Sequence, residues 1–100
     1  MDVAKSKANL LGDDKVDMAK AIVGKWTNST RNETFIFTNK SVSITNTQNG
    51  NVIDVGIWKV EKNKIIVIWN TFGQDVITLS SDQSKISSET HNWVSTRVKN

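Results

Sequence analysis

From Trp26 onward apolar and polar residues alternate with a period of two, and turn-forming residues interrupt the alternation about every eight to twelve positions. This rhythm predicts eight short strands: Gly24 to Asn28, Glu33 to Thr38, Ser41 to Thr47, Asn51 to Val60, Lys64 to Asn70, Asp75 to Ser80, Lys85 to Thr90 and Trp93 to Lys99. The links between them are short and rich in Asn and Gly, and Asn49-Gly50 is the strongest turn signal. Links of this length join antiparallel neighbours, because a parallel crossover needs about a dozen residues or more. The expected fold is therefore mainly β, an antiparallel meander of eight strands that closes, fully or in part, into a barrel.

The segment before the strands has a different period. Val16, Ala19 and Val23 fall on one helical line with Met18 and Ile22 beside it. Asp13 or Asp14 is suited to cap this short helix, and Gly24 to end it. The chain thus divides into a helical segment, 1–23, whose residues 1–12 read as a frayed turn or disordered leader, and a barrel, 24–100. With 100 residues there is one core, and a chain of this size buries roughly 60 to 65% of its unfolded surface.

Strand faces differ along the chain. Phe35 and Phe37 share one face, as do Val42 and Ile44, with Ser and Thr opposite, the mark of a sheet wetted on one side. "KIIVIW", residues 64–69, is apolar on both faces, Ile65, Val67 and Trp69 against Ile66 and Ile68. Such a strand is expected to be covered twice, by the N-terminal helix or by a second subunit.

A closed meander pairs its first strand with its last. The first carries Gly24-Lys25-Trp26, and the last carries Arg97, one of two arginines against eleven lysines. A guanidinium can lie flat on an indole while its donors bond neighbouring carbonyls, which lysine cannot imitate. In these residues the chain resembles the calycin superfamily, the lipocalins, fatty-acid-binding proteins and avidins. Their first strand opens Gly-X-Trp after a short helical turn, and an arginine of their last strand packs over that Trp. The likeness to avidins is closest in "GKWTN" and "WVSTRV". Small bacterial lipocalin-like domains are similar also in a second Gly-X-Trp, here Gly56-Ile57-Trp58. The resemblance implies structural closure by Gly24, Trp26 and Arg97, and a ligand taken in the barrel. Asn28 matches an avidin ligand-binding Asn, but Asn32 stands where those proteins have Ser, and the chain has no Tyr. The set that holds biotin is therefore incomplete.

Chemistry-bearing residues are sparse. The absence of Cys removes disulfides and thiolate sites, and no zinc spacing, calcium loop or phosphate-cradling glycine loop occurs. His91, the lone histidine, falls in a predicted turn, and Asp54, Asp75, Asp82 and Glu89 lie on separate strands or turns. No catalytic activity, metal or cofactor is expected. A binding role is. The lumen candidates are Trp26, Asn28, Phe35, Phe37, Ile44, Trp58, Val67 and Trp69, which would accept a small apolar or amphipathic molecule unless they simply form the core. The competing reading is a homodimeric protein–protein module with a solid interior. A further alternative is a small barrel for single-stranded nucleic acid, against which stand the absence of basic runs and the scarcity of Arg.

The net charge of +3 is spread over single lysines, which favours solubility rather than a specific acidic partner. No stretch approaches the roughly 18 apolar residues of a membrane span, and the first thirty residues lack a signal-peptide core. The expected location is extracellular or periplasmic if a leader has been removed, and cytoplasmic otherwise. High Lys, Asn and Ile with little Arg suggest a microbial source, and three Asn-X-Ser/Thr sequons at Asn28, Asn32 and Asn39 follow from composition.

Overall fold

The computed structural model describes residues 18–98. Eight strands follow the alternation in the sequence: β1 (Gly24–Asn28), β2 (Glu33–Phe37), β3 (Ser41–Asn46), β4 (Val52–Glu61), β5 (Lys64–Trp69), β6 (Gly73–Leu79), β7 (Lys85–Ser88) and β8 (Val94–Arg97). Each pairs antiparallel with its neighbours in the chain, and β1 pairs with β8 through Trp26↔Arg97 and Thr27↔Thr96, so the meander is a closed barrel. Closure satisfies the edges that an open sheet would leave unpaired. Strand ends depart from expectation by one or two residues. Thr38, Thr47, Asn51, Asn70, Ser80, Thr90 and Trp93 lie in links, while β4 runs on to Glu61 and β6 begins at Gly73. Lys99, assigned to the last strand, lies outside the described residues, as do the segment 1–12, Asp13, Asp14 and Val16.

Residues 18–22 are helical and lead straight into β1. Met18 and Ile22 form the inward side of this turn, Ile22 being fully buried, whereas Val23 points outward. That corrects the expected line of Ala19 and Val23, because the helix stops at Ile22 and the chain has already swung away at Val23. Its last bond runs from Val23 N to Lys20 O at 3.3 Å. Gly24 does not cap the helix; it is the first residue of β1, with φ +135°, a value that L side chains rarely adopt. A Cβ there would sit 3.5 Å from Arg97 Nη1, an ordinary contact, so it is the backbone conformation rather than lack of space that calls for glycine.

The interior is filled by Trp26, Phe35, Phe37, Val42, Ile44, Ile65, Val67, Trp69, Ile77 and Ile86, at alternate strand positions, with Ile22 and Trp93 completing the cluster. Arg97 lies over the Trp26 ring, its Cζ 4.1 Å from the centroid. Arg97 Nη2 donates to Ala21 O, and Trp26 Nε1 donates to Ile22 O at 2.8 Å. Helix end, first strand and last strand are thereby tied together at one end of the barrel. Trp58 helps shut that end, edge-on to Phe37 at 5.9 Å, with its Nε1 donating to Thr38 O and Ser41 O.

β5 is apolar on both faces, as its sequence indicates, but the described residues cover only one. Ile65, Val67 and Trp69 are buried inside, while Ile68 is 42% exposed on the outside. The expectation that the N-terminal helix covers this face is not met by residues 18–22, which sit instead at the Trp26–Arg97 seam.

Candidate binding site at the barrel mouth

An up-and-down meander gathers alternate links at each end. The β1–β2, β3–β4, β5–β6 and β7–β8 links lie opposite the helix, and there the barrel opens into a cavity of about 290 Å3. Its walls are Phe35 and Ile44 from β2 and β3, Trp69 and Asp75 from β5 and β6, and Trp93 just before β8; Arg31, Glu33, Phe72 and His91 form the rim. Phe35 is central to the wall. It stacks on Trp93 at 4.4 Å with planes 22° apart and meets Trp69 at 6.1 Å and 58°. Phe35, in contact with both tryptophan rings, makes with them a preformed apolar wall with little rotamer freedom left to lose on binding.

Local sequence sets the rim. The pairing of β3 with β4 slips between Ile44 and Thr45, whose partners are Asp54 and Val52, so that Ile53 is an extra residue in β4. Asp54, paired with inward Ile44 and in phase with Gly56, Trp58 and Val60, faces inward, and its carboxylate meets the β5–β6 link. There Oδ1 and Oδ2 accept from Thr71 N at 3.2 and 3.1 Å, and Oδ2 accepts from Phe72 N at 3.1 Å. Val55 N adds a 2.9 Å bond to Oδ1. The loop that carries Phe72 to the rim is therefore held by a buried carboxylate through charge-assisted bonds.

The second acidic residue faces the cavity itself. Asp75 is 1% exposed, and its Oδ1 accepts from Ser88 Oγ at 2.5 Å. Its Oδ2 accepts from Trp69 Nε1 at 3.4 Å and lies 3.2 Å from His91 Nδ1. His91 is held in place because its backbone N donates to Ser88 Oγ at 2.7 Å. Ser88 thus donates to Asp75 and accepts from the His91 backbone, and the imidazole faces the carboxylate rather than the hydroxyl. This geometry lacks the hydroxyl-to-imidazole bond of an activated nucleophile. It is instead a fixed acceptor, surrounded by aromatic rings.

Of the lumen candidates, Phe35, Ile44 and Trp69 reach the cavity. Trp26, Phe37 and Val67 are buried in the barrel interior, and Trp58 lies at the opposite end. Asn28 is buried at the end of β1, its Oδ1 accepting from Arg31 N of the following turn at 3.3 Å, and does not line the cavity. Arg31, Glu33, Phe72, Asp75, His91 and Trp93 were not singled out as ligand contacts. The signal for Asp75 is its strand phase, since it shares an inward face with Ile77. No group of three or more His, Cys, Asp or Glu placed to hold a metal ion occurs among the described residues. Among those residues, too, no helix is long and apolar enough to cross a membrane. No family model matches this chain, and neither a curated protein nor a solved structure is significantly similar to it.

Proposed function

We propose that this protein is a non-catalytic, lipocalin-like binding protein of the calycin type, which takes a small apolar or amphipathic molecule in the barrel mouth. The observation that carries this reading is the cavity of about 290 Å3 walled by Phe35, Trp69 and Trp93 at the end opposite the helix. A volume near the lower end of the range for ligand pockets suits a compact molecule rather than a long acyl chain. Native mass spectrometry of gently purified protein tests it. A retained mass of a few hundred daltons, lost on partial unfolding, supports the reading; a bare chain that also fails to bind any aromatic probe counts against it.

A second reading rests on the outer face. Val55, Ile57 and Ile68 are 49, 62 and 42% exposed, and Ile57 and Ile68 are directly paired, with Ile66 and Val76 continuing the patch across β5 and β6. Several outward positions elsewhere, such as Ser43, Thr45, Thr78, Lys85 and Thr96, are polar, whereas Ile36 and Val94 are isolated apolar ones. An apolar strip on a sheet face, with Lys59 and Glu61 at one end of it, suits a second copy of this chain packed face to face. Sedimentation velocity over a range of concentrations should then show a dimer, and a monomer at every concentration rules the arrangement out.

A further inference from the structure

Asp75 is a buried carboxyl group in the wall of the mouth with acceptor capacity to spare, and its place there bears on the chemistry of what enters. A carboxylate offers about four lone-pair positions. Two hydrogen bonds reach this one, from Ser88 at 2.5 Å and from Trp69 at 3.4 Å, the latter at the limit of a hydrogen bond, and His91 Nδ1 lies 3.2 Å from Oδ2. No lysine or arginine forms an ion pair with Asp75 among the described residues, and its charge partner within 4 Å is a histidine whose side chain is 37% exposed. The rim adds one further carboxylate, Glu33, and one guanidinium, Arg31. Two carboxyl groups, Asp75 and Glu33, thus share the lining with a single guanidinium, and Asp75 is the one at the deep end. The remaining walls are the π faces and edges of Phe35, Trp69 and Trp93, and aromatic faces attract cations as they attract apolar groups.

We infer that the mouth selects a compact aromatic or heteroaromatic cation, whose ring lies against Phe35 and Trp93 and whose ammonium or protonated ring nitrogen donates to Asp75. This rests on the proposal that the mouth is a binding site and names the class of its ligand. A neutral ring would gain the same aromatic contacts while leaving the spare acceptor capacity of Asp75 unused. An anionic ring would meet Asp75 and Glu33 with only Arg31 and His91 to offset them.

Three probes of one shape separate these cases: naphthylmethylammonium, naphthylmethanol and naphthoate, titrated into the full-length protein by calorimetry. The expected result is that the ammonium binds at least tenfold tighter than the alcohol and the carboxylate, and that Asp75→Asn abolishes the difference. Equal binding of ammonium and alcohol, or tightest binding of naphthoate through Arg31, overturns the inference and leaves the mouth as an unselective apolar site. A preference for the ammonium that survives in Asp75→Asn overturns the assignment to Asp75. Failure of all three to bind overturns the binding reading itself, and this inference with it. The comparison among the three probes on the unaltered protein decides the matter even if the Asp75 variant does not fold.

Discussion

Gly56 has no room for any side chain. A Cβ on it would lie 2.4 Å from the Ile68 carbonyl oxygen and 3.1 Å from the Ile68 carbonyl carbon and Trp69 Cα, all of them backbone atoms of the paired strand. Neither neighbour can swing aside as a flexible side chain would, so Gly56→Ala must push β4 and β5 apart. The expected cost is about 2 to 3 kcal/mol by urea denaturation, the scale of overpacking in a tight site. Asp82 acts on the charge side. Bonds from the side chain of Ser84, then Ser80, and from the Ser84 backbone favour its ionised form and lower its pKa from 3.8 to about 2. A carboxyl depressed in the folded state stabilises the fold above its ordinary pKa, and that contribution is lost as pH falls through the folded value. Between pH 3.8 and about 2, wild-type Tm should therefore fall more steeply than that of Asp82→Asn, and the two slopes should agree near neutrality. Parallel melting curves throughout the acid range would show that the Asp82 turn gives no pH-dependent support.

At the scale of elements, the link between β5 and β6 is the part of the mouth most dependent on one side chain. Asp54→Ala would leave the amides of Thr71 and Phe72 without their acceptor and free the Phe72 side of the rim. A loss of about 1 to 2 kcal/mol is expected, as for a charge-assisted acceptor whose donors regain water. Proton exchange should quicken at Thr71 and Phe72 while β1 to β3 keep their protection, and uniform quickening would place Asp54 in the global fold instead. How far these elements were legible follows from what each depends on. Strand phases were readable because alternation is local, and Gly24, Trp26 and Arg97 because their chemistry is distinctive. The start of β6 was misplaced by two residues, since "TFG" looks like a turn and only the Asp54 carboxylate, arriving from β4, shows where the strand resumes. The mouth was harder to read. Asp75 and His91 meet only because β6 and the β7–β8 link are brought together by register, and a histidine in a turn looks solvated until the strand beside it is known. Asn28, matched by resemblance to a ligand contact, proved to serve the turn after β1.

For the whole molecule, the seam between β1 and β8 decides whether there is a barrel. It consists of two registered pairs, a bond from Val98 N to Lys25 O at 2.9 Å, and the Arg97 side chain spread over Trp26 and bonded to Ala21 O and Gln83 O. Arg97→Lys keeps the charge but loses the flat face and the forked donors, and should cost about 1 to 3 kcal/mol in chemical denaturation. A variant as stable as the wild type would mean that the backbone pairs alone hold the seam.

That seam also has a kinetic meaning. Every other strand pair joins neighbours in the chain, whereas Trp26 and Arg97 are about seventy positions apart, so their meeting carries the largest loop-closure entropy in the molecule. On that ground the hairpins are expected to form first and the circle to close last. Until then the chain is an open, twisted sheet with two bare edges, β1 and β8, the state in which a strand of a neighbouring molecule competes with the protein's own for the same hydrogen bonds.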